Sequence, residues 1–131
     1  MLNALLVALG GAIGAVGRYL MGAWFQSLFG DPHFPWGTLL VNVFGAFLIG
    51  IAFGLSKDGP LSSQAWSFLV LGALGAYTTY STYALETLEQ FADGRVGLGL
   101  LNAFGQLAAA LIVAYIGVVL VRGLQGMGGS I

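Results

Sequence analysis

The sequence predicts an all-α membrane protein of four transmembrane helices, and three observations carry that prediction. Hydrophobic residues make up 58% of the chain and charged residues only 7%, and the mean hydropathy is +0.92. A soluble domain of 131 residues needs more charge than this to cover its surface. The apolar residues fall into four blocks separated by polar or Gly/Pro punctuation. Each block reaches the ~20 residues that cross ~30 Å of hydrocarbon. Within the blocks glycines recur at four-residue spacing, Gly10 with Gly14 and Gly50 with Gly54, which lets helix backbones approach closely in lipid. Tight packing alone accounts for most of the 22 glycines.

The first span is expected over about 2–23. Its start, "MLNALLVALGG", lacks the basic n-region of a secretory signal peptide, and its apolar stretch continues past Gly17, so it reads as a permanent span. The loop "FQSLFGDPHFP" follows, holding Asp31, two of the three prolines and the one histidine, His33, expected to be solvated. The second span, about 36–55, stops at "SKDGP". The third, about 64–90, carries "GALGAYTTYSTYALE" and ends around "EQFADGR". The fourth, about 96–121, ends at Arg122 and a glycine-rich tail. Residues 1–131 thus form a single domain with both termini on one side. Lys57 and Arg122 fall on one face of the membrane, Arg18 and Arg95 on the other. Such balance leaves the positive-inside rule nothing to act on and suggests insertion both ways round, as an antiparallel pair.

Composition excludes several classes of function. A net charge of −1 with four basic residues leaves no electrostatic footprint for nucleic acid. With no cysteine, disulfides, thiol chemistry and Cys-based metal sites are ruled out. Neither a Ser/His/acid set nor a phosphate-binding glycine loop is present, so no enzyme is expected.

Polar residues inside a span are costly and need a purpose. Thr38 and Asn42 share a face of span two, and Asn102 and Gln106 repeat that spacing in span four. In span three Tyr80, Tyr83 and Glu86 form an i, i+3, i+6 stripe beside Thr79 and Thr82. Three polar faces could line a narrow hydrogen-bonding track. They could equally be interhelical glue, each bond contributing about 0.6 kcal/mol. Gly72, Gly75 and the β-branched Thr78–Thr79 pair make a poor helix interior, so the third helix is expected to break near its middle. Carbonyl oxygens freed there suit a hard cation such as Na⁺, which transporters hold at broken helices.

Three stretches, "GGAIGAVGRY" (10–19), "FPWGTLLVNVFGAFLIG" (34–50) and "GALGAYTTYSTYALE" (72–86), resemble the signatures of the CrcB/Fluc fluoride channels in order and spacing. The resemblance covers nearly the whole chain. It implies a dual-topology antiparallel homodimer in the cell inner membrane that exports fluoride passively. It further implies a structural Na⁺ at the dimer interface, held by backbone carbonyls falling on Gly75 and Thr78. By the same resemblance Asn42 faces the pore and Arg18 lies near the vestibule. Ser81, Thr82 and Glu86 belong to a polar track, with Thr38 and Gln106 completing the ion pathway read from spacing. The family usually has phenylalanine at the two aromatic positions where this chain has Tyr80 and Tyr83. A tyrosine keeps the partially positive ring edge that can meet an anion and adds an O–H donor. A sister-branch channel with altered ion selectivity, a proton-coupled drug transporter and a subunit without a permeation path are the alternatives. Essential carboxylates of such drug transporters lie in the first span, whereas Glu86 lies late in the third.

Overall fold

The computed structural model describes residues 1–56 and 61–128, and every regular element in it is helical. Lys57, on which part of the charge-balance reading rests, lies outside the described residues, as do 129–131 at the end of the tail. Helix α1 (Leu2–Phe29) and helix α2 (Trp36–Ser56) correspond to the first two apolar blocks. α1 runs on past Ala23, because Trp24–Phe29 contains neither glycine nor proline, and ends at Gly30 with φ 61°. That left-handed conformation is open to glycine without a Cβ penalty.

The third block folds in pieces: α3 (Ser63–Ala65), a π-helical stretch π1 (Trp66–Leu74) and α4 (Gly75–Tyr77). Thr78 and Thr79 are extended, with ψ 151° and 112°, and α5 (Tyr80–Ala92) restarts the helix. The last block comprises α6 (Val96–Leu100), a π turn π2 (Leu101–Gly105) and α7 (Gln106–Gly128). By length and apolarity, three helices of the described chain can cross a membrane: Leu2–Phe29, Trp36–Ser56 and Val96–Gly126. No segment of the third block reaches that length alone, because Thr78–Thr79 divides it.

The packing is inverted relative to a water-soluble protein. Asn102 is 0% exposed, and the buried polar set also includes Ser67, Thr79, Gln90 and Gln106. Among the described residues the buried hydrophobic ones are Phe34, Val41, Tyr77 and Val121. Leu5, Leu9, Ile13, Leu111, Ile112 and many like them point outward. Lipid tails are as apolar as leucine, so burying leucine between helices brings little, whereas polar groups must find partners inside.

Helix α1 lies against π1, and α2 against α7. Glycine sets both distances. A Cβ on Gly14 would sit 2.8 Å from the Ala73 carbonyl carbon and 3.0 Å from its Cα. One on Gly117 would lie 2.6 Å from the Phe47 carbonyl oxygen. Backbone cannot step aside as a flexible side chain can. Gly14→Ala is therefore expected to cost roughly 1–3 kcal/mol through forced separation of α1 and π1. Gly123 has nothing within 4 Å of its Cβ position, so Gly123→Ala should be neutral or stabilise by up to about 1 kcal/mol. Thermal unfolding in detergent checks the contrast; equal midpoints for the two variants would sink the close-approach argument.

Candidate functional site

The break in the third block is built by one side chain on α2. In a continued helix the Thr79 N–H would bond the Gly75 carbonyl. Here it donates to Asn42 Oδ1 at 2.7 Å, while Asn42 Nδ2 donates to the Thr79 carbonyl at 3.1 Å. The carboxamide thus pairs with both polar groups of one residue, as a neighbouring β-strand would. The restart is capped locally. Thr79 Oγ1 accepts from the Thr82 N–H at 3.3 Å, a side-chain cap of the kind threonine favours. That bond takes the donor a continued helix would send to the Thr78 carbonyl. The Gly75 and Thr78 carbonyls therefore both lose their helical partners to named side chains.

From Asn42 a chain of hydrogen bonds runs across the interior. Asn42 Nδ2 also donates to Gln106 Oε1 at 2.5 Å. Gln106 Nε2 donates to Asn102 Oδ1 at 3.0 Å, and Asn102 Nδ2 to Thr87 Oγ1 at 2.9 Å. The Thr87 hydroxyl ends the chain on the Tyr83 carbonyl at 2.7 Å. Tyr83 itself donates its hydroxyl to the Ala103 carbonyl within π2, at 2.6 Å. Its O–H is thereby committed to the protein, and the ring edge is what it offers to anything passing.

Two cavities flank this seam, and Thr79 lines both. One, of about 440 Å³, holds Arg18, Gln26, Thr38, Thr82 and Glu86. Thr38 donates to Glu86 Oε1 at 2.6 Å, and Glu86 Oε2 is buried without a hydrogen-bond partner. Arg18 shares that wall but forms no ion pair with Glu86; the ion pair among the described residues joins Arg95 to Asp93. The other cavity, of about 350 Å³, is lined by Asn42, Thr78, Tyr80, Tyr83 and Gln106 against an apolar wall that includes Leu107 and Leu111. The Tyr80 and Tyr83 rings lie 5.5 Å apart, tilted by 43°.

The residues read from the sequence divide accordingly. Asn42, Tyr80, Tyr83 and Gln106 meet at the aromatic cavity, and Arg18, Thr38, Thr82 and Glu86 at the polar one. Gly75 is exposed on the single chain and lines neither of these cavities, whereas Thr78 lines the aromatic one. Ser81 is also exposed, its hydroxyl 3.5 Å from Thr79 Oγ1.

Three participants escaped the sequence reading. Thr87 joins the seam, and its i+4 spacing from Tyr83 was the signal that could have found it. Gln26 clamps the α1–α2 connection: its Nε2 donates to the carbonyls of Asp31 (2.9 Å) and Phe34 (3.0 Å), and its Oε1 accepts from the Gly37 N–H at 2.9 Å. His33 is exposed, as expected of a solvated loop histidine, and additionally pairs with Arg95, while Gln90 bonds its carbonyl. Partners that far apart in sequence leave no local trace.

Comparison with known proteins gives the family of the chain. The family described as "CrcB-like protein, Camphor Resistance (CrcB)" matches residues 5–118. A protein of Thermus thermophilus named "Fluoride-specific ion channel FluC" is 49% identical over 113 residues, 86% of this chain and 88% of that protein. One of the same name from Agrobacterium fabrum is 42% identical over 125 residues, 95% of this chain and 99% of the relative.

Proposed function

The chain belongs to the CrcB family, and from that membership we propose that it is a fluoride-specific ion channel carrying fluoride passively out of the cytoplasm. It is a multi-pass membrane protein and a channel, not an enzyme. The observation that carries the reading is the pair of cavities meeting at Thr79, one with Arg18 at its wall and one edged by tyrosine rings. A small anion shedding its water needs donors and positive ring edges, held loosely enough to let it leave. Arg18 attracts it on the polar side, and the aromatic side offers ring edges and an amide N–H. The reading as a drug transporter finds no support in the family match.

The finer architecture is part of the proposal. The third block, 63–92, also spans the membrane despite its break, bringing the spans to four, because the Asn42 clamp and the Thr79 cap supply backbone partners that lipid cannot. The functional unit is an antiparallel homodimer in the cell inner membrane. Two things support this: the balanced placement of the basic residues, and the exposed apolar rim of the aromatic cavity at Leu107 and Leu111. A structural Na⁺ fits the freed Gly75 and Thr78 carbonyls, since Gly75 is exposed on the single chain and neutral oxygens suit a hard monovalent cation. When bound, it supplies a fixed positive charge joining the two copies.

Purified protein in liposomes tests the reading. Fluoride-loaded vesicles should empty rapidly without an imposed pH gradient, and chloride-loaded ones should not. Equal chloride efflux, or no fluoride efflux, overturns it.

A further inference from the structure

We propose that Gln106, and not Asn42, presents the amide N–H that an anion meets in the aromatic cavity, Asn42 being wholly engaged as the clamp on Thr79. The proposal deepens the fluoride reading above and rests on it. It follows from accounting for every side-chain hydrogen-bond donor on the cavity wall.

Thr78 donates its hydroxyl to the Leu74 carbonyl at 3.1 Å, and Thr79 donates to Thr82 Oγ1 at 2.9 Å. The Tyr83 hydroxyl goes to Ala103. A primary amide has two N–H donors, and Asn42 uses both, on the Thr79 carbonyl and on Gln106 Oε1. Gln106 uses one, on Asn102 Oδ1. Its second N–H has no protein partner, although the residue is only 4% exposed and lines the cavity. The Tyr80 hydroxyl is uncommitted too, but that residue is 81% exposed on the single chain and has open surroundings to satisfy it.

The orientation of each amide is forced from the two ends of the seam. Thr79 N–H is a donor only, so Asn42 must turn Oδ1 to it and Nδ2 to the Thr79 carbonyl and Gln106. That leaves Oε1 of Gln106 as acceptor and aims its Nε2 at Asn102. At the far end the Tyr83 carbonyl accepts the Thr87 proton, so Thr87 Oγ1 receives Asn102 Nδ2. Reversing any one amide would set donor against donor or acceptor against acceptor. Asn102 is thus a positioning residue that holds Gln106 with one N–H free.

Side-chain amide NMR of the full-length parent protein in detergent, titrated with sodium fluoride, tests this directly. The Gln106 and Asn42 signals are assigned in the parent by through-bond correlation to their backbone resonances. One Gln106 Nε2 proton is expected to shift with fluoride while the Asn42 signals stay in place. Asn42 signals moving as much as those of Gln106, or an unmoved Gln106, overturn the proposal. In liposomes Gln106→Met, of similar length but without N–H, should lose fluoride efflux about tenfold, as expected for one hydrogen bond to an ion. Efflux at the parental rate would also refute it. The NMR measurement needs no variant to fold in order to decide. A parent that passes no fluoride condemns the channel reading itself; a conducting parent with a silent Gln106 condemns only this inference.

Discussion

Asn42→Leu is expected to give a protein that passes no fluoride and loses much of its stability. Leucine is close to asparagine in volume, so the change removes hydrogen-bonding capacity with little change of size. The Thr79 N–H, the Thr79 carbonyl and Gln106 Oε1 would all lose their partner. Each unsatisfied buried group costs about 1–3 kcal/mol, so roughly 3–9 kcal/mol is at stake if all three stay dry. That is a large share of a typical folding free energy of about 5–15 kcal/mol. Relief would come from the third block itself. With no partner on α2, the Thr79 N–H would return toward the Gly75 carbonyl, straightening the helix and moving Tyr80 and Tyr83 away from the cavity. Thermal unfolding and size-exclusion profiles in detergent, beside liposome efflux, check the expectation. A variant as stable as its parent that still passes fluoride would show that the break holds without the clamp.

Tyr83→Ile should lower fluoride efflux by roughly tenfold while the protein remains folded. The substitution removes a ring edge worth about 1.5 kcal/mol toward a favourable partner. That is about one decade at 1.4 kcal/mol per decade. It also removes the bond to Ala103, a loss of about 1 kcal/mol that falls on folding stability. Tyr83→Phe separates the contributions, since it keeps the ring and loses only the hydroxyl; it should retain most of the efflux that the isoleucine variant loses. Should isoleucine conduct like the parent, the ring is packing and the anion passes elsewhere.

The sequence alone determined the solvent of this protein and the places where its helices touch. A chain with 7% charge can be stable only in hydrocarbon. In that solvent unpaired backbone is so costly that helix is the form each apolar block takes. Gly14 and Gly50 were legible for the same reason: where no hydrophobic force draws helices together, close approach must be written into the chain as missing side chains. The poor helix residues at Thr78–Thr79, and the spacing of Asn102 with Gln106, were local signals too. Only the tertiary structure decided what those polar groups do. Asn42 meets Thr79 across 37 residues, and Thr38 meets Glu86 across 48; no periodicity encodes such pairings. A carboxamide has the same donors and acceptors wherever it stands, and the sequence lists them without saying which are in use. Once neighbouring helices commit Asn42 to a peptide and Tyr83 to a carbonyl, the N–H left over on Gln106 is fixed by geometry, because each hydrogen can be given only once.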